Sequence, residues 1–508
     1  MKFLTPSLLL YLSFLLNDVP KTQAIHLPIQ GRIGGFGHGG LARRASVTGT
    51  PDLSNQGNLQ YQTNITVNGQ QFQVLIDTGS SDLYVVGNVN GAKDTGKTGS
   101  VTYAIGSTKG PIKTATVEFE GFKIPNQAFI QQSVDSEHTE GGGIIGLGPS
   151  SASEIRGALG NSGGDPVLDR IFKQNTNTSN YITILLGRAG DPTDTFAGDI
   201  TVGETVSPFD NVTSQPKLPV TEMSNRGGQH WTAMLDKNGI IGPDGNRINT
   251  TKHATGNKLT VMFDSGFTFP QVSANIANQI YGRVPGAVLA NVSGGSAPMW
   301  TLPCSTELNV TFNFQNVSFP IHPLDTVTSA LQGPPDSSGK PTCVGAFQPI
   351  TTNIQGFDII LGMSFLRNAY MLINFGDFVD GSLAKVGDPY IQLLPLTDPA
   401  EAHADFVKIR MDGIDKSADL HLLPALPDSG DDGSSRDDRS SQDTLHKYLP
   451  YIIAGSVAVG VIILILIIAA SYRASTKRKY RRLHDPAPAG LPASNSDPFQ
   501  NYQPTRRY

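Results

Sequence analysis

Two aspartates stand at positions where a charged residue is unexpected. In Val74-Leu75-Ile76-Asp77-Thr78-Gly79-Ser80-Ser81, and again in Val261-Met262-Phe263-Asp264-Ser265-Gly266-Phe267-Thr268, a run of three large apolar residues ends on an acid. Burying an unpaired carboxylate is costly, so each acid must either cap its own turn or meet a partner. The similar tripeptides Asp94-Thr95-Gly96 and Asp428-Ser429-Gly430 lack the apolar run and read as ordinary turns. Two acids in matching contexts point instead to a facing pair. Facing carboxylates cannot both ionise cheaply, so they share a proton, and one site then holds both an acid and a base. A water between them can lose a proton to one carboxylate as it attacks an amide carbonyl, while the other protonates the developing oxyanion. The hydroxyls of Thr78 and Ser265 could bond across the pair and hold the turns. Gly79 and Gly266 would let the backbone come close without a Cβ.

The elements that must position this pair are also repeated. Each aspartate is followed downstream by an apolar-glycine signature, Gly143-Ile144-Ile145-Gly146-Leu147-Gly148 in the first half and Ile359-Ile360-Leu361-Gly362 in the second. Motif and order recur together, which predicts two related lobes. Ahead of Asp77, apolar or β-branched residues alternate at Tyr61, Thr63, Ile65 and Val67, then at Phe72, Val74 and Ile76, with Asn68-Gly69 between them. That is a hairpin with a tight turn, and its register points Asn64 outward. A second alternation at Leu308, Val310, Phe312 and Phe314 leaves Asn309 outward. Asp165-Pro166 opens a helix, with Asp165 as N-cap and Pro166 at the first helical position.

Composition agrees with many short strands. The 508 residues include 55 Gly and 34 Pro, 38% are hydrophobic, and only 16% are charged, against about 25% in ordinary soluble domains. Coiled coils and charged disordered chains need denser charge. An all-β fold is expected, with few and short helices.

The ends set the compartment. Lys2, an apolar run from Leu8 to Leu16 and small residues up to Ala24 read as a secretory signal over residues 1–24. Ile452 to Ala470 holds no charged residue, so residues 450–472 are expected to cross a membrane as one helix. Arg473, Lys477, Arg478, Lys479, Arg481 and Arg482 follow at once, and such residues stay cytoplasmic. The reading is a single-pass type I protein with a cytoplasmic tail over residues 473–508, placed at the cell surface or in an endosome or vacuole. A lipid-anchor signal would end at its hydrophobic tail, and this chain continues beyond it. The tail carries a net +6 within an overall −5, so the exterior part is acidic. Seven sequons, at Asn64, Asn177, Asn211, Asn249, Asn291, Asn309 and Asn316, all fall between signal and span and predict a glycoprotein. Residues 398–447, polar from Pro427 to Gln442, read as a solvated stalk.

Other chemistries fail on context. Gly35-x-Gly37-x-x-Gly40 and Gly141-x-Gly143-x-x-Gly146 open no helix in a βαβ unit, and Gly160-x-Ser162-x-Gly164 follows no strand. The ten histidines show no His-x-x-x-His spacing, and two cysteines cannot form a Cys-based zinc cluster. No metal, cofactor or nucleic acid partner is expected.

With these residues in order, the sequence resembles a pepsin-like (family A1) aspartic endopeptidase of fungal type over roughly residues 57 to 397. The matches are the hairpin into Asp77-Thr-Gly-Ser-Ser, Thr102-Tyr103-Ala104-Ile105-Gly106-Ser107 as the flap, Gly143 to Gly148, Trp231, Asp264-Ser-Gly, the Cys304 and Cys343 pair, and Ile360-Leu361-Gly362-Met-Ser-Phe-Leu-Arg-Asn-Ala-Tyr. The resemblance implies a bilobal fold with lobes over residues 57–220 and 221–397 and the active site between them. It implies Asp77 and Asp264 as catalytic residues, supported by Thr78, Gly79, Ser80, Ser265 and Gly266. Tyr103, Gly106 and Tyr84 would bind substrate, and Cys304–Cys343 would be a disulfide. A peptide or protein substrate, an acidic pH optimum, a monomer and a zymogen with a propeptide over residues 25–50 follow from it, with Arg43-Arg44 as a processing site. Two departures stand out: Tyr84 occupies the place of a usual Trp, and Phe267 that of a Ser or Thr beside the second aspartate. Phe267 motivates an alternative, a catalytically inactive pepsin-like protein that binds peptides or wall components.

Overall fold

The Asn68-Gly69 turn sets the register of the first lobe. In the computed structural model both residues take positive φ, 47° and 80°, the conformation that a two-residue hairpin needs and that Asn and Gly adopt most readily. Strands Gln60–Val67 and Gln70–Asp77 therefore pair from Gln62 opposite Leu75 to Val67 opposite Gln70. Tyr61, Ile65 and Val67 are buried while Asn64 is exposed, as the pleat requires. The structure describes the backbone of residues 25–28 and 30–32, and residues 60–424 apart from 104–105, 120–121, 176–178, 189–197, 223–227, 251–257, 293–296, 351–355 and 380–386.

The repeated motifs of the sequence are neighbours in space. Gln70–Asp77 runs parallel to Gly142–Gly146, with Asp77 opposite Gly146, and Leu83–Val86 joins the same strand antiparallel. In the second lobe Thr260–Phe263 runs parallel to Ile359–Leu361, with Phe263 opposite Leu361, and Gln271 meets Ile360 antiparallel. Each lobe thus threads its aspartate turn between the same kinds of strand. The first lobe is an eight-stranded sheet that includes the long hairpin of Lys93–Thr102 and Ser107–Phe119. The second contains sheets of five, three and four strands.

A further sheet was not foreseen. Tyr181–Leu186 and Gly198–Val202 from the first half pair in one six-stranded sheet with Ala369–Asn374 and Tyr390–Pro395 from the second. Tyr181–Leu186 and Ala369–Asn374 are nearly continuous apolar runs and almost wholly buried, so they lack the alternation that reveals a half-buried strand. The core runs through both lobes and includes Tyr61, Trp231, Phe263, Phe312 and Phe365. Within it, Arg188 and Arg367 bracket Asp325 at 2.6 and 2.7 Å. These two guanidiniums outweigh burial and hold the Asp325 carboxyl well below the usual carboxylate range.

Two expectations are corrected. The helix after Asp165 begins at Val167, with Pro166 at the cap position; Asp165 is instead buried between Arg156 and Lys173, at 2.8 and 2.6 Å. Residues 398–424 are not a solvated stalk. Asp398 accepts from the amides of Ala400 and Glu401 and starts the helix Pro399–Arg410, which buries Ala402 and Phe406. The segment beyond it is tied back by paired backbone and guanidinium bonds between Arg283 and Leu423, both 2.8 Å. The helical pattern was missed because only a few of its residues face the protein. Within the 25–50 segment, Ile25–Pro28 pairs with Asp199–Val202 and Gln30–Arg32 pairs with Gln60–Gln62, so a propeptide there would be docked on both sheets before its removal.

Cys304 and Cys343 form a disulfide. Asn64, Asn211, Asn249, Asn291, Asn309 and Asn316 are exposed, and Asn177 lies outside the described residues. Among the described residues no helix is long and apolar enough to cross a membrane; residues 1–24, the 450–472 stretch and the tail lie outside them.

Candidate active site

Asp77 closes its strand and Asp264 immediately follows its own, and both turns meet where the lobes join. Both acids are 5% exposed. The turns are locked together by reciprocal bonds. The Thr78 hydroxyl donates to the Phe263 carbonyl at 3.0 Å and accepts the Ser265 amide at 2.9 Å. The Ser265 hydroxyl donates to the Ile76 carbonyl at 3.1 Å and accepts the Thr78 amide at 3.1 Å. Each residue thus does for one lobe what its counterpart does for the other, and all four partners are buried, so the bonds do not compete with water.

Gly79 and Gly266 sit where no side chain fits. A Cβ on Gly79 would overlap the Asp264 carboxylate, and one on Gly266 would lie 2.5 Å from Asp77 Oδ1. Their amides do the opposite of crowding: Gly79 N–H donates to Asp77 Oδ1 at 2.8 Å and Gly266 N–H to Asp264 Oδ1 at 2.7 Å. The Ser80 hydroxyl donates to Asp77 Oδ2 in a short bond. In the second lobe Phe267 has no hydroxyl to offer; its backbone amide donates to the Asp264 main-chain carbonyl at 3.3 Å and only partly offsets the upward push on the Asp264 carboxyl. The two acids are therefore not equivalent. Burial, and next the charge of Asp77, push the Asp264 carboxyl well above the usual carboxylate range, and a side-chain hydrogen bond links the two acids. Two buried carboxyls this close hold one proton between them, which supplies an acid and a base in one site.

Of the residues expected to bind substrate, Tyr103 and Tyr84 are together. Their ring centroids are 6.1 Å apart. The Tyr103 hydroxyl is buried with no hydrogen-bond partner at bonding distance, and burial followed by the charge of Asp77 raises its pKa well above the usual tyrosine value. The same two causes push Tyr84 up to about 12. Gly106 closes the turn with its carbonyl accepting the Tyr103 amide at 3.1 Å; Ala104 and Ile105 lie outside the described residues.

Two contributors were not assigned a role from sequence. Trp231 is fully buried and donates from Nε1 to the Leu147 carbonyl at 3.0 Å, while its own carbonyl accepts the Phe263 amide at 2.9 Å. It thereby joins both glycine-bearing turns. His230, the residue before it, bonds the Gly79 backbone and feels the charge of Asp77, with burial the larger influence and lowering its pKa. Its ring stands edge-on to Phe357 at 6.0 Å. A lone histidine beside a tryptophan carries no sequence signal of such a position. Among the described residues no group of His, Cys, Asp and Glu is arranged to hold a metal ion.

A family model described as eukaryotic aspartyl protease matches residues 88–381. That match opens after the Asp77 turn and includes Asp264. The chain is 26% identical over 385 residues to major aspartyl peptidase 1 of Cryptococcus neoformans, covering 68% of this chain and 75% of that one. It is 23% identical over 364 residues to rhizopuspepsin of Rhizopus chinensis, covering 66% and 81%. In fold it is similar to the crystal structure of the aspartic proteinase from Irpex lacteus, with a TM-score of 0.54 at 19% identity, over 74% of this chain and 98% of that one.

Proposed function

Because this chain belongs to the eukaryotic aspartyl protease family, we propose that Asp77 and Asp264 are its catalytic pair. The protein is an aspartic-type endopeptidase. The observation that carries the assignment is the reciprocal Thr78 and Ser265 bonding, which sets one carboxylate from each lobe face to face. One proton is held on the Asp264 side, where burial and the Asp77 charge favour it. Asp77 takes the proton of a water lying between the acids as that water attacks the scissile carbonyl, and Asp264 protonates the carbonyl oxygen. The proton on Asp77 then goes to the amide nitrogen as the C–N bond of the gem-diol breaks, and one of its hydroxyls returns a proton to Asp264. Tyr103, half-buried near the acids with its hydroxyl facing the Ser80 side chain, contacts the bound peptide, and Tyr84 backs it. The family match and the relatives named as peptidases favour an active enzyme over the catalytically inactive reading that Phe267 motivates.

The enzyme works in the secretory pathway as a type I glycoprotein made as a zymogen. The signal, the uncharged stretch from Ile452 to Ala470 with its basic flank, the disulfide and the exposed sequons support this. The test is cleavage of a denatured protein at acidic pH by the processed ectodomain, blocked by a statine-containing peptide. Absence of turnover after verified propeptide removal overturns it. Release of the full chain from membranes by alkaline carbonate overturns the anchor.

A further inference from the structure

The loop from Gln132 to His138 belongs neither to the catalytic pair nor to the residues that close on substrate, yet it is bonded to the strand after the Tyr103 turn and packs on Tyr84, which meets Tyr103. Asp135 and His138 close it on themselves. Both Asp135 oxygens lie 2.9 Å from His138 Nδ1, Asp135 Oδ1 accepts the amides of Glu137 and His138 at 2.8 Å each, and the Asp135 amide donates to the His138 carbonyl at 3.1 Å. The His138 side chain is 12% exposed, and its ring stands edge-on to Tyr84, with centroids 6.1 Å apart and planes at 79°. Tyr84 in turn meets Tyr103. On the other side Gln132 Nε2 donates to Asp135 Oδ2 at 3.2 Å, while Gln132 Oε1 accepts the Thr108 hydroxyl and the Lys109 amide, both at 2.9 Å. Thr108 and Lys109 lie just past the turn that begins at Tyr103.

We propose that the Asp135–His138 pair is a positioning unit for Tyr103, holding Tyr84 against it from one side and anchoring the following strand through Gln132 from the other. The proposal rests on Tyr103 contacting substrate, as above. A ring fixed by a carboxylate presents one edge in one orientation, which a free side chain at an otherwise exposed loop would not do. The bonded loop therefore sets where the Tyr103 ring stands before substrate arrives, and its loss should weaken substrate capture more than the chemical step.

The test is steady-state hydrolysis of a peptide at acidic pH by the processed ectodomain. His138→Ala is expected to raise KM about three- to tenfold, the fold-change that one aromatic pair carries, with kcat within about twofold. His138→Phe, which keeps a ring edge against Tyr84, is expected to recover at least half of that loss. Wild-type KM in His138→Ala, or equal impairment of the Phe variant, overturns the proposal. If His138→Ala does not fold, Asp135→Asn at the exposed end of the pair gives the same readout: a raised KM supports the unit and an unchanged KM overturns it. Tyr103→Ala measured alongside separates the two readings. A loss there with none at His138 overturns only the positioning unit, whereas no loss at Tyr103 overturns both.

Discussion

Thr78 and Ser265, 187 positions apart, exchange hydrogen bonds in both directions, amide to hydroxyl at 3.1 and 2.9 Å. Thr78→Val keeps the shape but leaves the buried Ser265 amide and Phe263 carbonyl without partners. Unsatisfied buried groups cost more than the bond they lose. Unfolding free energy is expected to fall by about 2–4 kcal/mol, read from denaturant midpoints. Activity should fall at least about tenfold, because the two acids are no longer held at a fixed separation.

Gly79→Ala tests the close approach of the turns. A Cβ there overlaps Asp264, so one carboxylate must move. The expected result is loss of about a hundredfold or more in kcat with the fold retained by circular dichroism. Gly96→Ala, at a positive-φ turn where a Cβ meets nothing within 4 Å, is expected to leave activity unchanged.

Asp169 should make stability fall as pH rises from about 4 to about 7. It is fully buried, neither of its oxygens has a partner at bonding distance, and burial pushes it up to about 7. The folded protein therefore holds a proton that the unfolded chain releases near pH 4. The stabilisation is full below that value and is lost as pH climbs through the folded pKa. The shift corresponds to about 4 kcal/mol. Asp169→Asn should lose much less stability between pH 4 and 7, measured by denaturant unfolding at both values.

The helix Pro399–Arg410 should be part of the folding unit. Phe406 is fully buried and Arg410 reaches Cys343 Sγ at 3.1 Å. Phe406→Ala is expected to destabilise by about 3–5 kcal/mol, and truncation at residue 397 should lower the yield of folded ectodomain. A truncated form as stable as the full ectodomain would return this segment to a linker.

How far the sequence could be read depended on contrast. Asp77 and Asp264 were legible because a charge after three apolar residues breaks a pattern, and because it happens twice. The Asn68-Gly69 hairpin was legible because its turn chemistry is local. The six-stranded sheet was not, since Tyr181–Leu186 and Ala369–Asn374 pair across both halves and uniform apolar runs carry no register. The His138 contact with Tyr84 was invisible for a related reason: the residues are far apart in sequence and neither has an unusual neighbour. Helix Pro399–Arg410 was hidden by its mostly polar surface.

The central claim is that one acid from each lobe does the chemistry. The most direct measurement is kcat/KM for a peptide at acidic pH with the processed wild-type ectodomain and its Asp77→Asn and Asp264→Asn variants, each shown to be folded. Both substitutions keep the volume and remove the proton exchange. Each is expected to lower kcat/KM by at least about a thousandfold. Either variant retaining activity within about tenfold of wild type would contradict the account.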